Sequence, residues 1–88
     1  MEIVLSPGAK KDIQYWKKSG QKPNIKKIEK LLASMIETPF EGIGKPEPLK
    51  NDLSGCWSRR IDEVHRIVYT VEGDIIHIFS LRGHYNLF

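Results

Sequence analysis

Three apolar segments in the second half of the chain, at 57–61, 64–71 and 75–81, are separated only by Asp62-Glu63 and by Glu72-Gly73-Asp74. Segments of that length with turn residues at their joints pair as two consecutive hairpins, which commits this half to an antiparallel sheet. The first half follows a different period. Glu2 to Leu5 reads as a short strand, after which Ser6-Pro7 supplies an N-cap and a first-turn proline for a helix reaching Ser19. Ala9, Ile13 and Trp16 share one face of that helix and Gly20 stops it. From Pro23-Asn24 a second helix repeats Ile25, Ile28, Leu32, Met35 and Ile36 at helical spacing. Two amphipathic helices with a short joint must bury their apolar stripes, and the sheet is the surface available. The predicted fold is therefore α+β, in the order βααβββ, with both helices packed on one face of a twisted antiparallel sheet.

Eighty-eight residues suffice for one domain, spanning 1–88, whose functional site has to lie on an open surface. A composition of 40% hydrophobic and 28% charged residues excludes a disordered tail. No apolar run approaches the roughly 18 residues of a membrane span, and MEIVLS lacks the basic and long apolar parts of a signal peptide. A cytoplasmic protein is expected. Cys56 is alone, which excludes an internal disulfide and a cysteine-rich zinc site, and beside Trp57 it reads as a small strand residue. His65, next to Ile67 and Tyr69 on one strand face, and His77, with Ile75, Phe79 and Leu81, read as packing residues. None of the three histidines has the convergent spacing of zinc ligands, so neither metal nor cofactor is expected.

The net charge is +3, and its distribution says more than its sum: eight lysines lie in residues 1–44, whereas all four arginines lie in residues 45–88. Arginine grips phosphate with a rigid fork, while lysine offers diffuse attraction to a nucleic-acid backbone. The lysines of the two helices read first as solvated faces. In the strand at 57–61, Ser58 and Arg60 share one face and Trp57, Arg59 and Ile61 the other; Arg66, Val68 and Thr70 oppose His65, Ile67, Tyr69 and Val71. A three-residue turn sets Arg60 across from Arg66, and a two-residue turn sets Arg59 there. Two arginines opposite one another repel, and an anion bridging them removes the repulsion, so either register points to a phosphate site.

The connection from Pro39 to Gly55 holds three prolines and three glycines, and Pro46 and Pro48 stiffen it on both sides of Glu47. A carboxylate at Glu47, arginines at 59, 60 and 66 and a histidine at 84 form a set able to cleave RNA. The 2′-hydroxyl attacks the adjacent phosphorus, which requires a base for its proton, cations for the charge on the phosphorane and an acid for the departing 5′ oxygen. Spacing alone leaves other readings open. Glu47 can pair with Lys45 or Lys50, the arginines can pair with Asp62 and Glu63, and His84 can be a frayed chain end.

The run TPFEGIGKPEPLKNDLSGCWSRRIDEVHRIVY at 38–69, completed by His84-Tyr85, resembles the YoeB (Txe) toxins of bacterial toxin–antitoxin pairs, within the RelE/ParE superfamily. The similarity covers essentially the whole chain. It implies a RelE-like fold and a ribonuclease that cuts messenger RNA in the A site of the 70S ribosome, inhibited by a YefM-like antitoxin. By that resemblance Glu47 is the general base, Arg66 stabilises the phosphate and His84 is the general acid. The resemblance also implies that Lys50 and Arg60 contact the RNA; Tyr85, beside His84, offers a ring for a base to stack on, and Arg59 is counted with the RNA-binding arginines from the register argument. The chain departs from the pattern in Arg82-Gly83 before His84 and in Asn86-Leu87-Phe88 after Tyr85. Similar toxins form homodimers, which this sequence permits. Two other classes remain: a non-catalytic toxin that binds a protein such as DNA gyrase, as the ParE branch does, and a plain RNA-binding module.

Overall fold

The structure is a computed structural model and describes residues 1–83. Its first strand, β1 (Glu2–Leu5), passes into the first helix, α1 (Pro7–Ser19), through Ser6. The Ser6 hydroxyl accepts from the Ala9 N–H at 3.1 Å and donates to the Phe79 carbonyl at 3.0 Å, capping the helix and pinning its start to the sheet. Gly20, in the left-handed region at φ 72°, ends α1. The second helix, α2 (Lys22–Glu37), carries a proline in its first turn and closes with the Thr38 N–H donating to Ser34. No helix among the described residues is long and apolar enough to cross a membrane.

Four further strands follow: β2 (Glu47–Pro48), β3 (Trp57–Arg60), β4 (Arg66–Glu72) and β5 (Ile75–Ser80). They form one five-stranded sheet in the order β1-β5-β4-β3-β2. Ala9 and Trp16 of α1 and Ile28, Leu31 and Met35 of α2 pack with Ile67, Tyr69, Ile76, Ile78 and Leu81, so both helices cover one face. The predicted βααβββ core is present, and the sheet is mixed. The Ser6 N–H donates to Ile78 O, which anchors the start of α1 at the C-terminal end of β5, so β1 runs alongside β5 in the same direction. That pairing also covers an edge that β5 would otherwise expose. The extra strand β2 is two residues long and pairs Glu47 with Ser58 and Pro48 with Trp57.

One irregularity changes which residues face the core. Val68 pairs with Ser80 but Tyr69 with Ile78, so Phe79 is an extra residue bulged out of β5 and left exposed. Strict alternation puts Leu81 on the side of His77 and Phe79. The bulge instead returns Leu81 to the core, where its carbonyl accepts from Trp16 Nε1 at 2.8 Å. His65 packs edge-on against Trp16, ring centroids 5.0 Å apart, and its Nδ1 accepts from the Gly83 N–H at 2.8 Å, a structural role as read from its strand face.

The β3–β4 turn has the three-residue register. The Ile61 N–H donates to His65 O at 2.9 Å, and Arg60 stands directly across from Arg66. Asp62 holds this turn: Oδ1 accepts from the N–H groups of Val64 and His65, and Oδ2 from Asn24 Nδ2 at the start of α2. Burial pushes the Asp62 carboxyl up, but the hydrogen bonds from His65, Val64 and Asn24 outweigh it and hold the group below its ordinary value. A folded pKa below the unfolded one gives stability that is present above the unfolded value and lost as pH falls through the folded one. Asp62→Ala is therefore expected to cost about 1 kcal/mol at pH 7. Urea titrations of both proteins down to pH 2 should show that gap closing on the acid side, and a gap independent of pH contradicts this account of the turn.

Candidate active site

Arg59 is the least expected feature. It is fully buried, on the helix-covered face of β3, and its guanidinium is surrounded by neutral oxygens. Nε donates to the Tyr69 hydroxyl at 3.1 Å, Nη1 to Ser34 Oγ at 2.8 Å and Ile43 O at 3.1 Å, and Nη2 to Thr38 O at 2.6 Å and Glu41 O at 2.8 Å. The Tyr69 hydroxyl in turn donates to Pro39 O at 2.7 Å. Burial raises the Tyr69 phenol above its ordinary pKa against the opposing pull of Arg59, so it remains a donor. Five carbonyl and hydroxyl partners thereby gather the stretch from Thr38 to Ile43 against the sheet.

Two glycines make that approach possible. A Cβ on Gly42 meets Ser34 Oγ and lies 3.3 Å from Arg59 Nη1; one on Gly44 meets the Leu31 side chain and lies 3.2 Å from Arg59 Cβ. Both glycines also have positive φ, at 115° and 84°. Beyond them the Arg60 N–H donates to Gly44 O at 2.7 Å, and the chain enters β2 beside β3. The buried arginine thus sets where Glu47 emerges.

On the opposite face of the sheet Glu47, Ser58, Arg60 and Arg66 lie on neighbouring strands. Glu47 pairs with Ser58 across β2–β3, and Arg60 with Arg66 across β3–β4. Arg66 Nη1 donates to Glu47 Oε1 at 3.2 Å, the arginine side chain 11% exposed and the carboxylate 46%. A largely covered cation therefore steadies a carboxylate that solvent can reach. The Arg66 N–H also donates to Gly83 O at 3.1 Å, tying the last described residue to the same strand.

Of the residues expected from the sequence, the structure brings Glu47 and Arg66 into contact and sets Arg60 beside them. Lys50 is exposed at the start of the short turn Asn51–Leu53. Arg59, expected among the RNA contacts, is instead enclosed on the other face, because alternation along β3 turns it toward α2. His84 and Tyr85 lie outside the described residues. Trp57 stacks at a tilt on Phe40, ring centroids 4.9 Å apart, and burial raises the Cys56 thiol, which keeps it protonated. Ser58, placed beside Arg60 by strand alternation, and Ser80 were not among the residues expected at the site. Both flank Val68 on the Glu47 face, and their buried hydroxyls have no hydrogen-bond partner among the described residues. Strand alternation was the available signal.

The sequence profile of the YoeB-like toxins of bacterial type II toxin–antitoxin systems matches residues 5–85. Toxin YoeB of Escherichia coli strain K12 is 48% identical over 85 residues, covering 97% of this chain and 100% of that protein. Among solved structures, a YoeB/ParE toxin from Agrobacterium tumefaciens superposes with a TM-score of 0.91 at 39% identity, covering 97% of this chain and 100% of its own. YoeB of Staphylococcus aureus, solved in a heterotetrameric YoeB–YefM complex and as a dimer, gives 0.86 at 45% identity over 97% of this chain and 98% of that one.

The two neighbouring arginines are expected to separate cleanly on mutation. Arg59→Met strands several buried acceptors and should destabilise the fold by about 3 kcal/mol or more. Arg60→Ala removes an exposed side chain and should change stability by at most about 0.5 kcal/mol. Equal losses for the two in urea unfolding contradict the division of roles.

Proposed function

The chain belongs to the YoeB-like toxins of bacterial type II toxin–antitoxin systems, and from that premise we propose that it is an endoribonuclease cutting messenger RNA in the A site of the 70S ribosome. The observation that carries the proposal is the Glu47–Arg66 contact with Arg60 at its side, on the sheet face that the helices leave open.

The chemistry follows from those positions. A phosphodiester entering beside Arg60 and Arg66 relieves their mutual repulsion and draws the Arg66 guanidinium into its own hydrogen bonds. Glu47, released from part of that contact, accepts the 2′-hydroxyl proton as the oxygen attacks phosphorus. The arginines hold the added charge on the phosphorane, which is where fixed cations contribute most. His84, which follows Gly83 in the sequence, gives a proton to the departing 5′ oxygen. The products are a 2′,3′-cyclic phosphate and a 5′-hydroxyl. Base, acid and charge stabilisation all come from side chains, so the scheme calls on no cofactor.

Lys50 and Tyr85 complete the RNA contacts in this reading, and the ribosome holds the message in line, supplying orientation that so open a site lacks. The toxin works in the bacterial cytoplasm, where a YefM-like antitoxin silences it by meeting the basic face with acidic residues. A homodimer is the second assembly, as in the Staphylococcus aureus relative.

Primer extension on a defined message bound to ribosomes tests this directly. Wild type should create a new 5′ end within the A-site codon. Glu47→Gln and Arg66→Ala should each lower the rate by about 10²–10⁴-fold while remaining folded. Full cleavage by soluble Glu47→Gln refutes the base assignment. Growth arrest by wild type without any cleavage points to a protein target, as for ParE-type toxins.

A further inference from the structure

A pocket of about 330 Å³ opens beside the candidate active site, between α2, the Gly44-Lys45 segment and the β3–β4 turn. Its size is at the lower end for small-molecule sites. Arg60 lines it, together with Lys27 and Lys45, and so does the buried Ile61. Asp62 and Glu63 close the rim.

Three positive side chains thus converge on one cavity. None of Lys27, Lys45 and Arg60 forms an ion pair among the described residues, even with two carboxylates in the same lining. Asp62 is already engaged by the Val64 and His65 N–H groups and by Asn24. Lys27 also stands apart from the other lysines of its helix: it is half-buried, whereas Lys26 and Lys30 are exposed. Lys45 holds a left-handed backbone, φ 50°, uncommon for a residue with a Cβ. Unpaired cations drawn together this way repel one another, and an anion in their midst turns the repulsion into binding.

We propose that this pocket is a second phosphate subsite, in which Lys27, Lys45 and Arg60 hold a ribose-phosphate unit next to the one cleaved at Glu47 and Arg66. Arg60 belongs to both: it faces Arg66 across β3–β4 and reaches the pocket at the end of β3. The subsite fixes the direction in which the RNA crosses the sheet and rests on the reading of RNA as the substrate. The ribose-phosphate unit belongs either to the message or to ribosomal RNA, which the two arms of the test separate.

The test compares full-length wild type, Lys27→Ala/Lys45→Ala and the control Lys26→Ala/Lys30→Ala, which removes two lysines of the same helix outside the pocket. One arm measures binding of an uncleavable 2′-O-methyl RNA hexanucleotide across a salt series; the other measures KM and kcat for cleavage of a message on programmed ribosomes. If the message fills the pocket, the pocket variant loses hexanucleotide affinity beyond the control. Its slope of log K against log salt also flattens by about 0.7 per lysine lost. If ribosomal RNA fills it, hexanucleotide binding is unchanged and KM on ribosomes rises at least several-fold over the control, with kcat retained. Equal behaviour of the two double variants in both arms overturns the subsite and leaves the nuclease standing, provided wild type cleaves. Wild type that neither binds the hexanucleotide nor cleaves on ribosomes overturns both.

Discussion

A guanidinium buried among main-chain carbonyls determines where the functional residues of this protein stand. Arg59 draws Thr38, Glu41 and Ile43 toward the sheet, with Tyr69 adding Pro39. An unpaired charge in such a place is expensive, and carbonyl dipoles serve here in place of a counter-ion. The consequence is geometric. A connection with little regular structure becomes a fixed segment whose end feeds β2, so Glu47 is delivered beside Ser58 rather than left on a loose loop. Gly42 and Gly44 serve the same arrangement, because side chains at either position would occupy space taken by Ser34, Leu31 and Arg59.

The two faces of β3 divide two uses of one residue type. Arg59 points under the helices and stabilises the fold; Arg60, the next residue, points outward and stays exposed. Across the ladder Arg60 meets Arg66, an unfavourable pairing in an empty sheet and a favourable one around phosphate. Asp62 sustains that pairing from a distance, since it fixes the turn length on which the register depends. Stability concentrated at Arg59 and Asp62 thus holds a like-charge pair that the sheet alone would not favour.

Much of this architecture was legible because its signals are local. Ser6-Pro7, Gly20 and the helical repeats mark α1 and α2, and the two turns mark the hairpins. What escaped depends on contacts between distant segments. The parallel pairing of β1 with β5 follows from Ser6 docking on Ile78 and Phe79, far along the chain. The Phe79 bulge carries no glycine or proline to announce it, yet it decides that Leu81 is core. At the site, the resemblance and strand alternation pointed to Glu47, Arg60 and Arg66, and the structure groups these three. Alternation also put Arg59 beside Trp57 and Ile61. Its burial nevertheless ran against expectation, because arginine is rarely enclosed and three of the five oxygens that enclose it belong to the backbone, which the sequence does not display.

Under the proposed nuclease function, the outward arginines hold the scissile phosphate while the inward one holds only the fold. A structure of this protein on a ribosome whose A-site codon is 2′-O-methylated at the attacking position tests it most directly. The phosphate is expected between Arg60 and Arg66, with Glu47 turned toward the blocked 2′ oxygen and Arg59 still bonded to Thr38, Glu41 and Ile43. A phosphate bound away from those two arginines, or Arg59 drawn out of its carbonyl cage to meet the RNA, contradicts it.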